Sequence, residues 1–265
     1  MSPPTRYEAL SRDRYVERPA PLPIAGVVAC VWTSELHADA LKRVVPDGSA
    51  DILSIDGGPP IVVGPATASH LVSMPAGTRV IGVRLRPGAT SVLGARSDTL
   101  LDRRVLLDDL WAPALARSIA QAFADGESRG LDALTTTLAS RPAPDTLVLA
   151  CVRWLAAHPH ARASDLSRWT GFSDRQLRRR VAEASGYAPK ALMRVLRLQR
   201  LLTLDRLALA AAAHHAGYAD QAHMSREVAS LTGISPRALL AEPHGTPVMA
   251  DFFKSLPEPS RKLGP

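Results

Sequence analysis

The stretch Gly171-Phe172-Ser173-Asp174-Arg175-Gln176-Leu177-Arg178-Arg179-Arg180-Val181 returns later in the chain as Gly217-Tyr218-Ala219-Asp220-Gln221-Ala222-His223-Met224-Ser225-Arg226-Glu227-Val228. Each copy is followed by a second mark, Ser185-Gly186-Tyr187-Ala188-Pro189 and then Thr232-Gly233-Ile234-Ser235-Pro236. Leu177 and Met224, Arg179 and Arg226, and Pro189 and Pro236 all stand 47 positions apart. A Gly-aromatic turn, a short helix with an outer arginine, a Gly stop and a Pro restart make up a helix-turn-helix unit, here present twice.

At about 100° per residue, Leu177, Val181 and Ala184 share one face of the first short helix, and Arg175, Arg178, Arg179 and Ala182 the other. Met224, Val228 and Leu231 form the matching buried face of the second, opposite Ala222, Ser225, Arg226 and Ala229. An arginine fork fits the O6 and N7 acceptors of guanine, and small residues let a helix approach base edges. The candidate DNA-reading residues are therefore Ser173, Arg175, Gln176, Arg178 and Arg179, then Gln221, Ala222, His223, Ser225 and Arg226. The competing reading is a solvated basic helix, which does not account for the repeat. Arg180, Lys190, Arg194, Arg197 and Arg200 are expected to reach phosphates or to be solvated.

Outward from the repeat, everything from Asp145 reads as helix: 146–157, 163–170, 174–184, 189–204, 207–216, 220–231 and 236–241. Ser173 with Gln176 makes a capping box, and Gly171 and Gly217 supply left-handed turn residues. The helix from 190 to 204 would span about 22 Å and act as a rigid spacer. Before the linker 141–145 lie short β-rich runs at 24–32, 51–55, 61–63 and 80–86, punctuated by Gly and Pro, then helices at 108–124 and 130–138. Residues 1–20 read as loosely attached, and the proline-bearing tail 243–265 as disordered. The expected fold is α+β in two domains. Residues 1–140 form a small antiparallel β-barrel or sandwich with helices, and 146–242 an all-α double helix-turn-helix.

Charge agrees with this division. Residues 1–145 hold 15 Lys and Arg against 16 Asp and Glu, and residues 146–265 hold 17 against 9. A basic half beside a neutral half suits a polyanion-binding module joined to something else. The two cysteines, Cys30 and Cys151, are too few for a disulfide framework or structural zinc site. No apolar run is long enough to span a bilayer, and the N-terminus lacks a secretion signal, so a cytoplasmic, nucleoid-associated protein is expected. His37 and His70 are isolated, and His214 and His215 diverge on a helix, so no metal and no cofactor is expected. No hydrolase elbow, phosphate loop or Cys/His pair points to an enzyme.

The region 146–242 resembles the C-terminal domain of the AraC/XylS family of bacterial transcription regulators. The resemblance rests on Gly171-Phe172-Ser173, Gln176-Leu177 and Arg179, on Arg197-Leu198-Gln199-Arg200, and on Ala216 to Arg226 with Thr232-Gly233-Ile234-Ser235-Pro236. Val181 and Val228 stand where the family usually has Phe, and Ser167 where it has Ala. The resemblance implies double-stranded DNA as partner, with RNA polymerase, a small-molecule effector and a second copy of the chain as further candidates. The N-terminal half, through Val45 to Ile52 and Ile81 to Ala89, resembles a cupin-like sensor or dimerisation domain found in some members. Trp32, Asp51 and Arg84 are candidate ligand-pocket residues, against a core Trp, a turn-capping Asp and a surface Arg. The alternatives are a repair methyltransferase fusion, which lacks its cysteines here, and a protein-interaction scaffold or ligand-binding cupin-like protein for which DNA is secondary.

Overall fold

The computed structural model describes residues 14–204 and 207–242. The N-terminal region is built on a six-stranded antiparallel sheet of order β1-β2-β7-β4-β5-β8. Its strands are β1 Arg14–Pro19, β2 Val28–Glu35, β4 Ala50–Ile55, β5 Ile61–Val63, β7 Arg79–Leu85 and β8 Arg104–Leu106. A separate ribbon pairs β3 Ala40–Val44 with β6 His70–Met74. Two helices follow, α1 Pro113–Ala124 and α2 Glu127–Ala139. Residues 14–19, expected to be loose, form the edge strand, with Val16 opposite Thr33. The tail 243–265 lies outside the described residues.

Strand alternation sorts the sheet into two faces. Val31, Ile52, Val62 and Val83 point to one side, where Ile119 and Phe123 of α1 and Leu134 and Leu138 of α2 close the core. Cys30, Trp32 and Val80 point to the other, joined by Tyr15, Leu53 and ribbon residue Met74. Gly82 stands opposite Trp32. A Cβ at Gly82 would lie 2.3 Å from the indole, so the absent side chain is what lets the ring lie on β7.

The C-terminal region is all helical: α3 Thr146–Ala157, α4 Ala163–Thr170, α5 Asp174–Ser185, α6 Pro189–Leu202, α7 Leu209–Ala216, α8 Gln221–Thr232 and α9 Pro236–Ala241. It has two cores. Val148, Leu155, Leu166, Leu177, Val181 and Leu192 fill the first, and Leu198, Ala213, Tyr218, Met224, Val228 and Leu239 the second. Helix α6 contributes to both and so joins two helical units.

The sheet region touches both units. Ser97 Oγ donates to the Ala184 carbonyl at 2.8 Å, and Tyr187 Oη to the Ala66 carbonyl at 2.6 Å. Gln199 of α6, buried, donates to the Pro46 carbonyl at 2.8 Å. On the second unit, Ser69 N donates to the Leu231 carbonyl and Arg43 Nη1 to that of Thr232. These contacts gather at the C-terminal ends of α5 and α8 and along α6, leaving the outer arginines of α5 and α8 open.

Candidate nucleic-acid interface

In the first unit α4 stops at Gly171, whose φ of 76° is left-handed. Ser173 then caps α5 by accepting from Gln176 N, while Gln176 Oε1 accepts from Ser173 N at 3.1 Å and from Ser173 Oγ at 2.8 Å. Ser167 Oγ donates to Asp174, tying α4 to the start of α5. With Leu177 and Val181 buried beneath, Arg175, Gln176, Arg178 and Arg179 are exposed. Ser173 and Gln176 are exposed too, with their polar groups engaged in the cap.

The second unit has the same plan with a turn one residue longer. Helix α7 ends at Gly217, φ 93°, and Tyr218-Ala219 leads to Asp220, which caps α8 by accepting from His223 N at 2.6 Å. His223 Nδ1 accepts from Ala219 N at 3.2 Å and its Nε2 lies 3.3 Å from Glu227 Oε1, so the imidazole is held in the turn. Ser225 Oγ donates back to the Gln221 carbonyl at 2.9 Å. Gln221, Ala222 and Arg226 are exposed, and His223 and Ser225 half-buried. Among the described residues, Arg175, Arg178, Arg179 and Arg226 have no carboxylate partner.

The expected phosphate-reaching arginines are placed differently. Arg180 pairs with Asp145 at 2.8 Å and covers the Phe172 ring. Arg194 and Arg197 turn to Glu227, and Arg200 donates to the carbonyls of His215 and Ala156. Lys190 is exposed. Glu227 and Gln199, present in the sequence only as members of the repeat and of Arg197-Leu198-Gln199-Arg200, are polar residues on helix faces otherwise turned inward.

In the sheet, the three candidate pocket residues meet. Trp32 Nε1 donates to Asp51 Oδ1 at 2.7 Å, Arg84 Nε lies 3.1 Å from the same oxygen, and the guanidinium sits 5.6 Å from the indole centroid. Arg84 also pairs with Glu17 at 3.3 Å and Asp47 at 3.7 Å, and its side chain is only 11% exposed. Burial raises the Asp47 carboxyl above the usual aspartate value, with Arg84 pulling the other way. One guanidinium thus serves three carboxylates in an ion cluster on the sheet face that carries Trp32. A cleft of about 150 Å³ lies elsewhere, beside Arg14, Arg18 and Glu127 at the sheet edge. Among the described residues no group of three His, Cys, Asp or Glu is placed to hold a metal.

Comparison with known proteins bears on both regions. Residues 166–242 match the family model described as a helix-turn-helix domain, HTH_18, and residues 16–106 match a domain of unknown function, DUF6597. No curated protein matches the chain. Similar solved structures include ToxT from Vibrio cholerae O395, at 11% identity over 79% of this chain and 95% of that one, with TM-score 0.42. ToxT from Vibrio cholerae strain SCE256 bound to an unsaturated fatty acid shares 12% identity over 79% and 93%, with TM-score 0.44.

Proposed function

We propose that this chain, which carries an AraC-type helix-turn-helix domain behind a DUF6597 domain, is a one-component transcription regulator that reads two adjacent major grooves of duplex DNA. The observation that carries this reading is the pair of capped helices, α5 with Arg175, Arg178 and Arg179 and α8 with Arg226 on their exposed faces, none of them paired to a carboxylate among the described residues. Arg179 and Arg226 stand at matched positions and are assigned to base edges. Helix α6, 14 residues and so about 21 Å long, holds the units apart on one side of the duplex. The working division is 1–140 for the modulating domain and 146–242 for the DNA-binding domain.

The modulating role is supported by the loop 45–49. Asp47 belongs to the Arg84 cluster, and the neighbouring Pro46 carbonyl receives the buried Gln199 of α6. A small molecule that disturbed Trp32, Asp51 and Arg84 would act on that loop and hence on the spacer. A cytoplasmic location goes with this reading, with RNA polymerase and a second copy of the chain as further partners.

Selection of bound sequences from a random duplex library, followed by footprinting, tests the reading. Two protected tracts roughly one helical turn apart are expected, with Arg179→Ala and Arg226→Ala each costing about 1–3 kcal/mol and relaxing preference in one tract only. Footprints unchanged in both variants would refute the assignment.

A further inference from the structure

Two arginines of α6, Arg197 and Arg200, bridge the two units, and a third, Arg194, ties α6 to the second. Arg200 donates from Nε to the His215 carbonyl at 2.9 Å, in the second unit, and from Nη1 to the Ala156 carbonyl at 3.1 Å, in the first. Arg197 donates from Nε to the Pro159 carbonyl at 3.2 Å, and its Nη1 lies 3.7 Å from Glu227 Oε2. Arg194 donates from Nη2 to Ser230 Oγ at 3.1 Å, and its Nε lies 3.3 Å from Glu227 Oε1. Glu227 thus receives two cations from α6 and sits beside His223 of its own helix.

Its side chain is 16% exposed, and Oε2 is buried with no hydrogen bond, so the Arg197 charge is what offsets its burial. The units also touch directly, because the Gly217 backbone abuts Pro159. Glu227 follows Arg226 in sequence, so what holds one orients the other. We propose that Glu227 is a positioning residue for DNA recognition: by gathering Arg194 and Arg197 it fixes the angle of α8 relative to α5, and hence the spacing between the two base tracts. This rests on the two-groove reading above and deepens it. Without the carboxylate, two neighbouring guanidinium groups lose their shared partner, and α8 gains freedom to rotate about the Gly217–Pro159 contact.

The test uses the full chain and the duplex recovered by selection, rebuilt with one or two base pairs added or removed between the tracts, and with either tract scrambled. The native protein is expected to bind the parent spacing best and to lose affinity steeply on either side. Glu227→Gln should bind the parent duplex about tenfold more weakly, with a flattened spacing profile and with affinity for each singly scrambled duplex kept within about twofold. The double variant Arg194→Gln with Glu227→Gln removes the added positive charge and should stay flat, which separates geometry from non-specific attraction. Should Glu227→Gln fail to fold, Arg194→Met removes one arm of the clamp and should broaden the profile to a lesser degree. A variant profile as steep as the native one overturns the positioning role, and so does an equal loss on every duplex including the scrambled ones. A flat profile for the native protein instead overturns the two-groove reading, and the positioning role with it.

Discussion

Replacing the turn glycines by alanine, one at a time, separates backbone strain from packing between the units. Gly171 and Gly217 both hold left-handed backbone, with φ of 76° and 93°. A Cβ in that conformation costs about 1–2 kcal/mol. At Gly171 the new Cβ would meet nothing within 4 Å, so backbone strain is the whole cost. At Gly217 it would lie 2.3 Å from the Pro159 carbonyl oxygen and 2.6 Å from the carbonyl carbon. Ordinary contact begins near 3.4 Å, so the turn at 158–160 must retreat by about 1 Å. Overlap of that kind in a packed seam adds about 1–3 kcal/mol. Gly171→Ala should therefore cost about 1–2 kcal/mol and Gly217→Ala about 2–5 kcal/mol. Urea unfolding followed by helical circular dichroism measures both, with the denaturant slope checked for constancy. Equal losses, or a larger loss at Gly171, would refute the direct packing of one unit on the other.

Arg84→Met leaves Glu17, Asp47 and Asp51 without their cation and should destabilise the protein by about 3–5 kcal/mol near neutral pH. The Asp47 carboxyl, already raised by burial, loses the opposing pull of Arg84 and rises further, so relative to the native protein the variant holds its stability below the unfolded aspartate value of about 4 and loses it as the pH rises through the raised value. Urea midpoints across that range check the sign, and a deficit that shrinks with rising pH contradicts it. Burial pushes the thiols of Cys30 and Cys151 up to about 12, so the native protein should resist iodoacetamide at about pH 8 while the unfolded chain is labelled at both. Rapid native labelling of either cysteine would contradict their burial. If Arg175, Arg178 and Lys190 carry the phosphate contacts while Arg179 and Arg226 read bases, log affinity against log salt should fall with a slope of about −3. A slope of about −5 or steeper would mean that Arg194, Arg197 and Arg200 leave their partners on DNA.

The helical half is legible because its boundaries are local chemistry. Asp145, Ser173, Asp220 and Ser235 cap the helices that follow them, Pro189 and Pro236 open theirs, and Gly171, Gly186, Gly217 and Gly233 close theirs. The strands that went unseen depend on partners. Arg14–Pro19 is half charged and ends in proline, yet pairs along β2 as an edge. His70–Met74 is a strand because β3 lies beside it, and Arg104–Leu106 because β5 does. Trp32, Asp51 and Arg84 could each be picked out as candidates from residue type. Their meeting requires the register that sets Asp51 opposite Arg84 and Trp32 opposite Gly82, which no local pattern encodes. Arg84 consequently lies in an ion cluster, where a charged residue on an alternating strand reads equally as a surface arginine.

Charge was legible in amount and not in direction. The excess of arginine after residue 146 suggested phosphate contacts along α6, yet Arg194, Arg197 and Arg200 face inward. A guanidinium offers five donors in a planar fork, so one side chain can serve two acceptors on different segments. Arg200 does this at the C-terminal ends of α3 and α7, where helix carbonyls lack intrahelical partners and the dipole favours a cation. Lysine could supply the charge at such a place but not the paired geometry. The same residue type therefore stands in two settings in this domain: Arg175, Arg178, Arg179 and Arg226 are left open on α5 and α8, and on α6 Arg194, Arg197 and Arg200 are engaged by neighbouring segments. Binding to any polyanion needs only the first set. On the proposed two-groove reading, discrimination by spacing needs the second, and a chain with the outer arginines but not the inner ones would keep its affinity for a single tract while losing the advantage of correctly spaced pairs.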